Sequence, residues 1–325
     1  MKKILVTFLI ISTISCANNY DKQAAVTYDF SGGRFGDCLI AYLHAKWMSF
    51  TYGIPLLYKP FKYSDQLELD RREIRIDNVR LPARTKRLAQ HDLSIDVTKP
   101  CLYTVPYFSE VLYERNLTHN KEKWIYFAVD WADKEFLQEI RNMINPIDKK
   151  LLDKKCKADA ITVAVHVRKG GGFDQGELLS DTIEKVSGVN YRDLHDSLRF
   201  PPEYYYVEQL KKLSELLNNC PLYVYIFTDD QNPAEIARRL QFQLGEYANI
   251  EFDYRKQSNS HDANVIEDFF AMTTFQCLIR PQSNFSLVAG LIGDFLIEIA
   301  PVEHHWEETK SVFDKIEIKD KRILS

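Results

Sequence analysis

The run Ile161-Thr-Val-Ala-Val-His166-Val-Arg168-Lys169-Gly170-Gly171-Gly172 sets two adjacent cations and three glycines at the end of an apolar segment. Arg168 offers a planar, permanently charged fork that matches phosphate oxygens, and consecutive glycines let a backbone turn sharply and approach a ligand closely. The chemistry this fits is capture of a phosphate or diphosphate. Its plain counterpart is a strand-to-loop junction whose Arg and Lys face water. Three further segments have related chemistry. Phe227-Thr228-Asp229-Asp230 places paired carboxylates after another apolar run, where they accept hydrogen bonds from a ribose or purine, or cap a turn. Arg280-Pro-Gln-Ser283-Asn284-Phe285-Ser286 puts two hydroxyls at a helix start, where they hold phosphate oxygens, or serve as N-caps. Ser31-Gly32-Gly33-Arg34-Phe35-Gly36-Asp37 is a glycine turn into a helix, an arrangement whose exposed amides attract anions, with Asp37 read as the N-cap.

The elements that must position these residues follow from periodicity. Val163, Val165 and Val167 alternate with Ala164 and His166 in a nearly continuous apolar run, which predicts a parallel strand at 161–167 covered on both faces. A first strand is expected at 25–30, then a helix with Leu39, Ile40, Leu43, Trp47 and Phe50 on one face. Residues 56–123 are irregular and charged. An amphipathic helix is expected at 131–144, ended by Pro146, and the Lys/Asp-rich stretch 148–160 reads as a domain boundary. A long polar loop reaches Phe200, and Pro201-Pro202-Glu203 starts a helix to 217. Beyond it come strand 221–228, helix 234–244, strand 250–253, helix 264–275, strand 277–279, helix 286–292 and strand 295–299. Such alternation predicts an α/β fold with doubly wound parallel sheets, whose ligands collect where the strand-end loops converge.

With 325 residues, 45% of them apolar, the chain has room for two domains. A net charge of −4, with no long Lys/Arg run, argues against nucleic-acid partners. Six scattered cysteines lack metal spacing and read as buried free thiols, and His304-His305 on a strand would face opposite ways, so no metal site is expected. Met1-Lys2-Lys3 followed by apolar Ile4 to Ile14 and small residues reads as a secretory signal, too short for a comfortable span. Thr13-Ile14-Ser15-Cys16 is similar to a lipoprotein box, with Cys16 the lipidated residue. The expected division is a leader at 1–24, an amino-terminal domain at 25–157 and a carboxy-terminal domain at 158–325. The expected location is secretory or membrane-associated through the leader, or else the cytoplasmic face of the membrane. Asn116-Leu-Thr118 and Asn284-Phe-Ser286 are sequons.

Taken in order, Gly33-Arg34-Phe35-Gly36, Val165-His166-Val167-Arg168-Lys169, Phe227-Thr228-Asp229-Asp230 and Asp268-Phe-Phe-Ala-Met272 leading to Ser283-Asn-Phe285-Ser286 resemble the fucosyltransferase superfamily, most of all its α1,2-type enzymes. The likeness runs from about residue 26 to 295. It implies a GT-B-like pair of Rossmann-type domains, acceptor-side at 25–157 and nucleotide-sugar-binding at 158–325, a GDP-fucose donor, a glycan acceptor, inverting transfer and no cofactor or metal. By the same resemblance Arg168 binds the donor diphosphate and His166 supports that arginine. Asp229 or Asp230 lies near the nucleoside, Ser283 and Ser286, with Asn284 and Phe285 between them, hold phosphate, and Gly33, Arg34 and Gly36 face the donor. Asp174, Glu177 or Asp37 is the candidate base for the acceptor hydroxyl. The chain departs from the family pattern at Lys169, where a second arginine is usual, at Gly171 in place of an aspartate, and at Asp37 in place of an asparagine. Those departures leave two alternatives: a transferase for another nucleotide sugar, or an exported, non-catalytic carbohydrate-binding protein on the same scaffold.

Overall fold

The computed structural model describes residues 19–89, 93–107, 129–153, 157, 159–169, 197–245, 247, 249–260, 262–307 and 310–324. Its amino-terminal half is built on a small parallel sheet. Strand β1 (Ala24–Tyr28) is followed by helix α1 (Phe35–Tyr52), then by β2 (Leu57–Tyr58), α2 (Glu68–Arg72), β3 (Ile74–Arg75), β4 (Thr85–Arg87) and β5 (Cys101–Val105). The order is β1-β5-β4, and a parallel bridge from Val26 to Leu56 brings the β2–β3 pair alongside the other edge of β1. Helix α3 (Lys134–Met143) closes this half. Asp133 caps it, its carboxylate accepting from the amides of Glu135 and Phe136 at 2.9 Å.

The carboxy-terminal half is larger and regular. It runs β6 (Ile161–Val167), α4 (Glu203–Leu216), β7 (Leu222–Thr228), α5 (Pro233–Leu244), β8 (Ile250–Tyr254), α6 (Val265–Thr273), β9 (Cys277–Ile279), α7 (Asn284–Ile292), β10 (Ile297–Glu307), β11 (Lys310–Asp320) and α8 (Lys321–Leu324). The sheet order β8-β7-β6-β9-β10 is parallel throughout, with β11 added antiparallel at the edge. Counted from β6 this is the Rossmann order, so the connection reverses direction between β6 and β9. A crevice opens at that reversal, outside the carboxyl ends of the strands.

Two expectations need correction here. Helix α1 does not bury a single face: Leu39 through Ala45 are all buried, because the helix lies between β1 and α7 and has neighbours nearly all round. The chain also continues past 299 into the β10–β11 hairpin, whose alternation is masked by charged side chains on its solvent side. Along it His304 is buried, with Nδ1 2.7 Å from the Ser311 hydroxyl, while exposed His305 pairs with Asp314, so the two histidines do face different surroundings. The two halves share one core. Val26, Tyr42, Leu43 and Phe136 from the first join Phe227, Phe269, Phe275, Val288 and Ala289 from the second in a continuous cluster. Cys38, Cys101, Cys220 and Cys277 are free thiols, and Cys220 is exposed, unlike the expected buried set.

Candidate functional site

Strand β6 delivers His166 and Arg168 to the crevice because a buried parallel strand needs apolar side chains only until it leaves the sheet. Val163, Val165 and Val167 pack into the core on one side; His166, alternating with them, and Arg168, just past the strand end, line the cleft at the carboxyl edge. The Arg168 guanidinium lies 4.9 Å above the Phe200 ring, and that of Arg199 lies 5.6 Å from the same ring. Both cations thus pack against one aromatic ring.

Opposite β6, the amino-termini of α1 and α7 meet. A Cβ on Gly36 would lie 2.4 Å from the Phe285 nitrogen and 2.8 Å from the Asn284 carbonyl carbon. Glycine is required there for the approach of another helix rather than of a ligand. The junction is sealed by Asp37. Its Oδ1 accepts from the Tyr107 hydroxyl at 2.8 Å and the Asn284 amide at 2.6 Å, and its Oδ2 accepts from the Arg34 amide at 3.1 Å. Asn284 also donates to the Tyr107 hydroxyl at 3.0 Å. Asp37 is therefore not the N-cap, which is Arg34, but the third helical residue reaching back. Its charge is spent on three donors, so it is a latch between the halves and not a free base. Asn284 is buried in the same network, which makes its sequon inaccessible in the folded chain.

The resulting cleft has a volume of about 400 Å³ and is lined by Gly33, Arg34, Gly36, Asp37, His166, Arg168, Asp229, Ser283, Asn284 and Phe285 among others. Ten of the sequence candidates thus share one cavity. Ser283 is the N-cap of α7, yet its hydroxyl makes no capping bond, and the residue lines the cleft. Asp229 ties β6 to β7 by accepting from the Lys169 amide at 2.8 Å.

Three candidates fall elsewhere. Ser286 is fully buried under the helix start, donating to the Ser283 carbonyl at 3.4 Å. Asp230 caps the next turn through the Asn232 amide at 2.7 Å, and the Lys169 side chain is not part of the lining. Asp174, Glu177, Gly170 to Gly172, Asn116 and Cys16 lie outside the described residues.

Electrostatics set the working state of His166. Its pKa is pushed down to about 3, first by burial away from water and then by the positive fields of Arg168, Arg34 and Arg280. The imidazole is neutral at physiological pH, and among the described residues its Nδ1 has no hydrogen-bond partner. A neutral ring can orient an arginine or accept a hydrogen bond; it is a poor base. Arg280, first residue of the serine loop, stays out of the cleft and pairs with buried Glu298 at 2.7 Å. Burial works to raise the Glu298 carboxyl, but Arg280 and Lys319 hold it below its ordinary value. Cys38, on the cleft wall, is pushed up to about 12 by burial and by Asp37, so its thiol stays protonated. Among the described residues no cluster of three or more His, Cys, Asp or Glu could hold a metal ion.

Several residues that line the cleft or brace its wall carry no sequence signal. Tyr107 stands two residues beyond β5, and its place at the carboxyl end of a parallel strand is visible only once β5 is recognised. Lys62 and Tyr63 come from the irregular region and meet the far wall across the cleft mouth. There Lys62 Nζ lies 3.2 Å from the Asp262 carboxylate, and the Tyr63 hydroxyl donates to the Asp262 carbonyl at 3.1 Å.

No family model matches the sequence, and no curated protein matches it significantly. Solved structures do. NodZ α1,6-fucosyltransferase soaked with GDP-fucose superposes with a TM-score of 0.52 at 12% identity, over 92% of this chain and 99% of that one. FUT1 of Arabidopsis thaliana in complex with GDP gives a TM-score of 0.48 at 12% identity, over 89% of this chain and 72% of that one. POFUT1 in complex with GDP gives 0.45 at 14% identity, over 85% and 95%. With β6 at the start of a Rossmann-ordered sheet and a second, smaller parallel sheet beside it, the chain has a GT-B-like α/β fold similar to that of the NodZ structure.

Proposed function

We propose that the chain is a glycosyltransferase that moves fucose from GDP-fucose to a glycan hydroxyl, with inversion and in α1,2 linkage. The observation that carries this reading is the placement of Arg34 and Arg168 around the α7 amino-terminus, in the crevice where β6 and β9 diverge. The donor soaked into the NodZ structure supports GDP-fucose, and the four ordered motifs support the α1,2 type.

As the glycosidic bond breaks, negative charge grows on the diphosphate while the sugar becomes oxocarbenium-like. Arg168, held on Phe200, meets that charge with hydrogen bonds that strengthen in the transition state. Arg34 and Arg199 add positive field from the facing wall and the α4 approach, and the Ser283 hydroxyl with the α7 amides holds a phosphate oxygen. Neutral His166 buttresses Arg168 without adding a repelling charge. Asp229 stands on the nucleoside side. Because Asp37 is engaged by three donors, removal of the acceptor proton is assigned to Asp174 or Glu177. The lysines at 2 and 3 and the apolar stretch after them support delivery to the secretory route or the membrane. Among the described residues no helix is long and apolar enough to cross a bilayer.

Thermal-shift measurement against GDP, UDP and ADP at equal concentration tests the donor class. GDP is expected to raise the melting temperature, by the equivalent of about 2.7 kcal/mol at a hundredfold excess over Kd. Stabilisation by UDP or ADP in its place would assign another nucleotide sugar. Glycan binding without hydrolysis or transfer of GDP-fucose would favour the non-catalytic alternative.

A further inference from the structure

Residues 71–87 carry seven Lys and Arg against two carboxylates, in a chain whose net charge is −4. The segment crosses the outer face of the small sheet from the β3 edge to the β4 edge. Ile74, Ile76 and Val79 pack down onto Ala25, Leu57 and Leu102, which leaves the cations to point outward. Where acids pair with them, the acids are the less exposed partners. Arg80 is 77% exposed and its partner Asp21 20%; Arg72 is 52% exposed and its partner Glu68 17%. Arg71 and Arg84 are exposed as well, and among them Leu81 holds an apolar side chain in water. Asp77 is the exposed counter-charge within the segment.

The start of the described chain lies in this same layer. Asn19 bridges to Arg80, the Tyr20 amide donates to the Arg80 carbonyl at 3.1 Å, and the Tyr20 ring joins the small apolar cluster beneath. Asn19, the first described residue, thus lies beside the cationic face, and in the sequence it is preceded by the apolar stretch Ile4 to Ile14.

From this juxtaposition we propose that the outer face of the small sheet is a membrane-docking surface that takes the acidic headgroups of an anionic bilayer. Exposed arginines supply the charge and Leu81 reaches into the headgroup layer, on the face where the described chain begins at Asn19. No residue of this face lines the cleft, so docking and donor binding are separable.

The test is co-sedimentation of the full chain with phosphatidylcholine vesicles and with vesicles that also contain phosphatidylglycerol. Binding should be stronger to the acidic vesicles and should weaken as salt is raised. In the variant Arg71→Gln, Arg80→Gln, Arg84→Gln, partitioning to acidic vesicles should fall on the order of a hundredfold, and binding to neutral vesicles, which reports the leader, should not change. A control that removes equal charge elsewhere, Lys150→Gln, Lys212→Gln, Arg238→Gln, should behave like the unaltered chain. An unchanged GDP-induced thermal shift in the triple variant establishes that its fold is intact. If that variant misfolds, Arg84→Gln alone carries the test, at about fivefold. The proposal is overturned by equal binding of the chain to both vesicles, by equal losses in variant and control, or by loss of heparin or duplex-DNA binding with vesicle binding unchanged.

Discussion

The Arg168 side chain combines two properties that a lysine could not: a fork that bonds two oxygens at once and a flat face that stacks on Phe200. Arg168→Ala is expected to lower transfer by roughly 10²- to 10³-fold, and Arg168→Lys to recover only part of it, with circular dichroism unchanged in both. Near-normal turnover by the alanine variant would remove Arg168 from the chemistry. At the neighbouring position, His166 protonates near 6.5 in an unfolded chain but only near 3 in the folded one. The unfolded state therefore binds more protons between those values, and stability contributed by the neutral ring is lost as pH falls from about 6.5 toward 3. Melting temperature against pH should fall less steeply in that window for His166→Asn than for the unaltered chain. Identical slopes would show that the imidazole titrates normally.

At the scale of elements, the site depends on two helix ends being pressed together. Gly36→Ala would place a methyl group against the backbone of α7, which cannot move as a flexible side chain can. We expect a loss of about 1–3 kcal/mol in urea denaturation, together with weaker GDP binding as the α7 amino-terminus is displaced. Tyr107→Phe removes one of the three donors on the Asp37 carboxylate while keeping the ring. A charge-assisted bond of this kind contributes about 1.5–3 kcal/mol, so the variant should be destabilised by an amount in that range. A change of only a few tenths would mean that water replaces the hydroxyl and that the latch is not closed in solution. The resemblance to the fucosyltransferases leads one to expect asparagine at position 37. An aspartate there is tolerated because neutral donors and two helix amino-termini surround it.

For the whole molecule, the shared core decides how the halves unfold. Phe35 from α1 packs edge-on to Phe269 of α6 at 5.2 Å, and Asp37 is bonded to Asn284 on α7, so neither half keeps a complete core without the other. Differential scanning calorimetry should show one cooperative transition, raised as a unit by GDP. Two resolved transitions, only one of them moved by GDP, would mean that the halves are independent domains divided near residue 157. The cationic outer face and the cleft lie on different surfaces of this unit. That separation allows membrane attachment with the donor site left open.

Much of the carboxy-terminal half is legible in the order of its residues. Buried parallel strands such as 161–167 and 222–228 are continuous apolar runs, and their polar ends mark the crevice because burial stops there. Hence Arg168, Asp229 and Ser283 can be named as one site from order and spacing alone. The amino-terminal half is legible in its first strand, the helix after it and the helix before Pro146, but opaque between them. Its strands β2, β3 and β4 have two or three residues each, too few for any period to register, and they are held by pairing with β1 and β5 rather than by their own pattern. Only the tertiary structure could decide what the glycines and acids do. Gly36 serves a helix contact, Asp37 is hydrogen-bonded by Tyr107 and Asn284 from distant segments, and Ser283 lines the cleft while Ser286 does not. Sequence by itself determined the order of strands, helices and charged ends, since these follow from local periodicity. Which polar groups meet each other, and which are left to meet a ligand, depends on contacts between residues far apart in the chain.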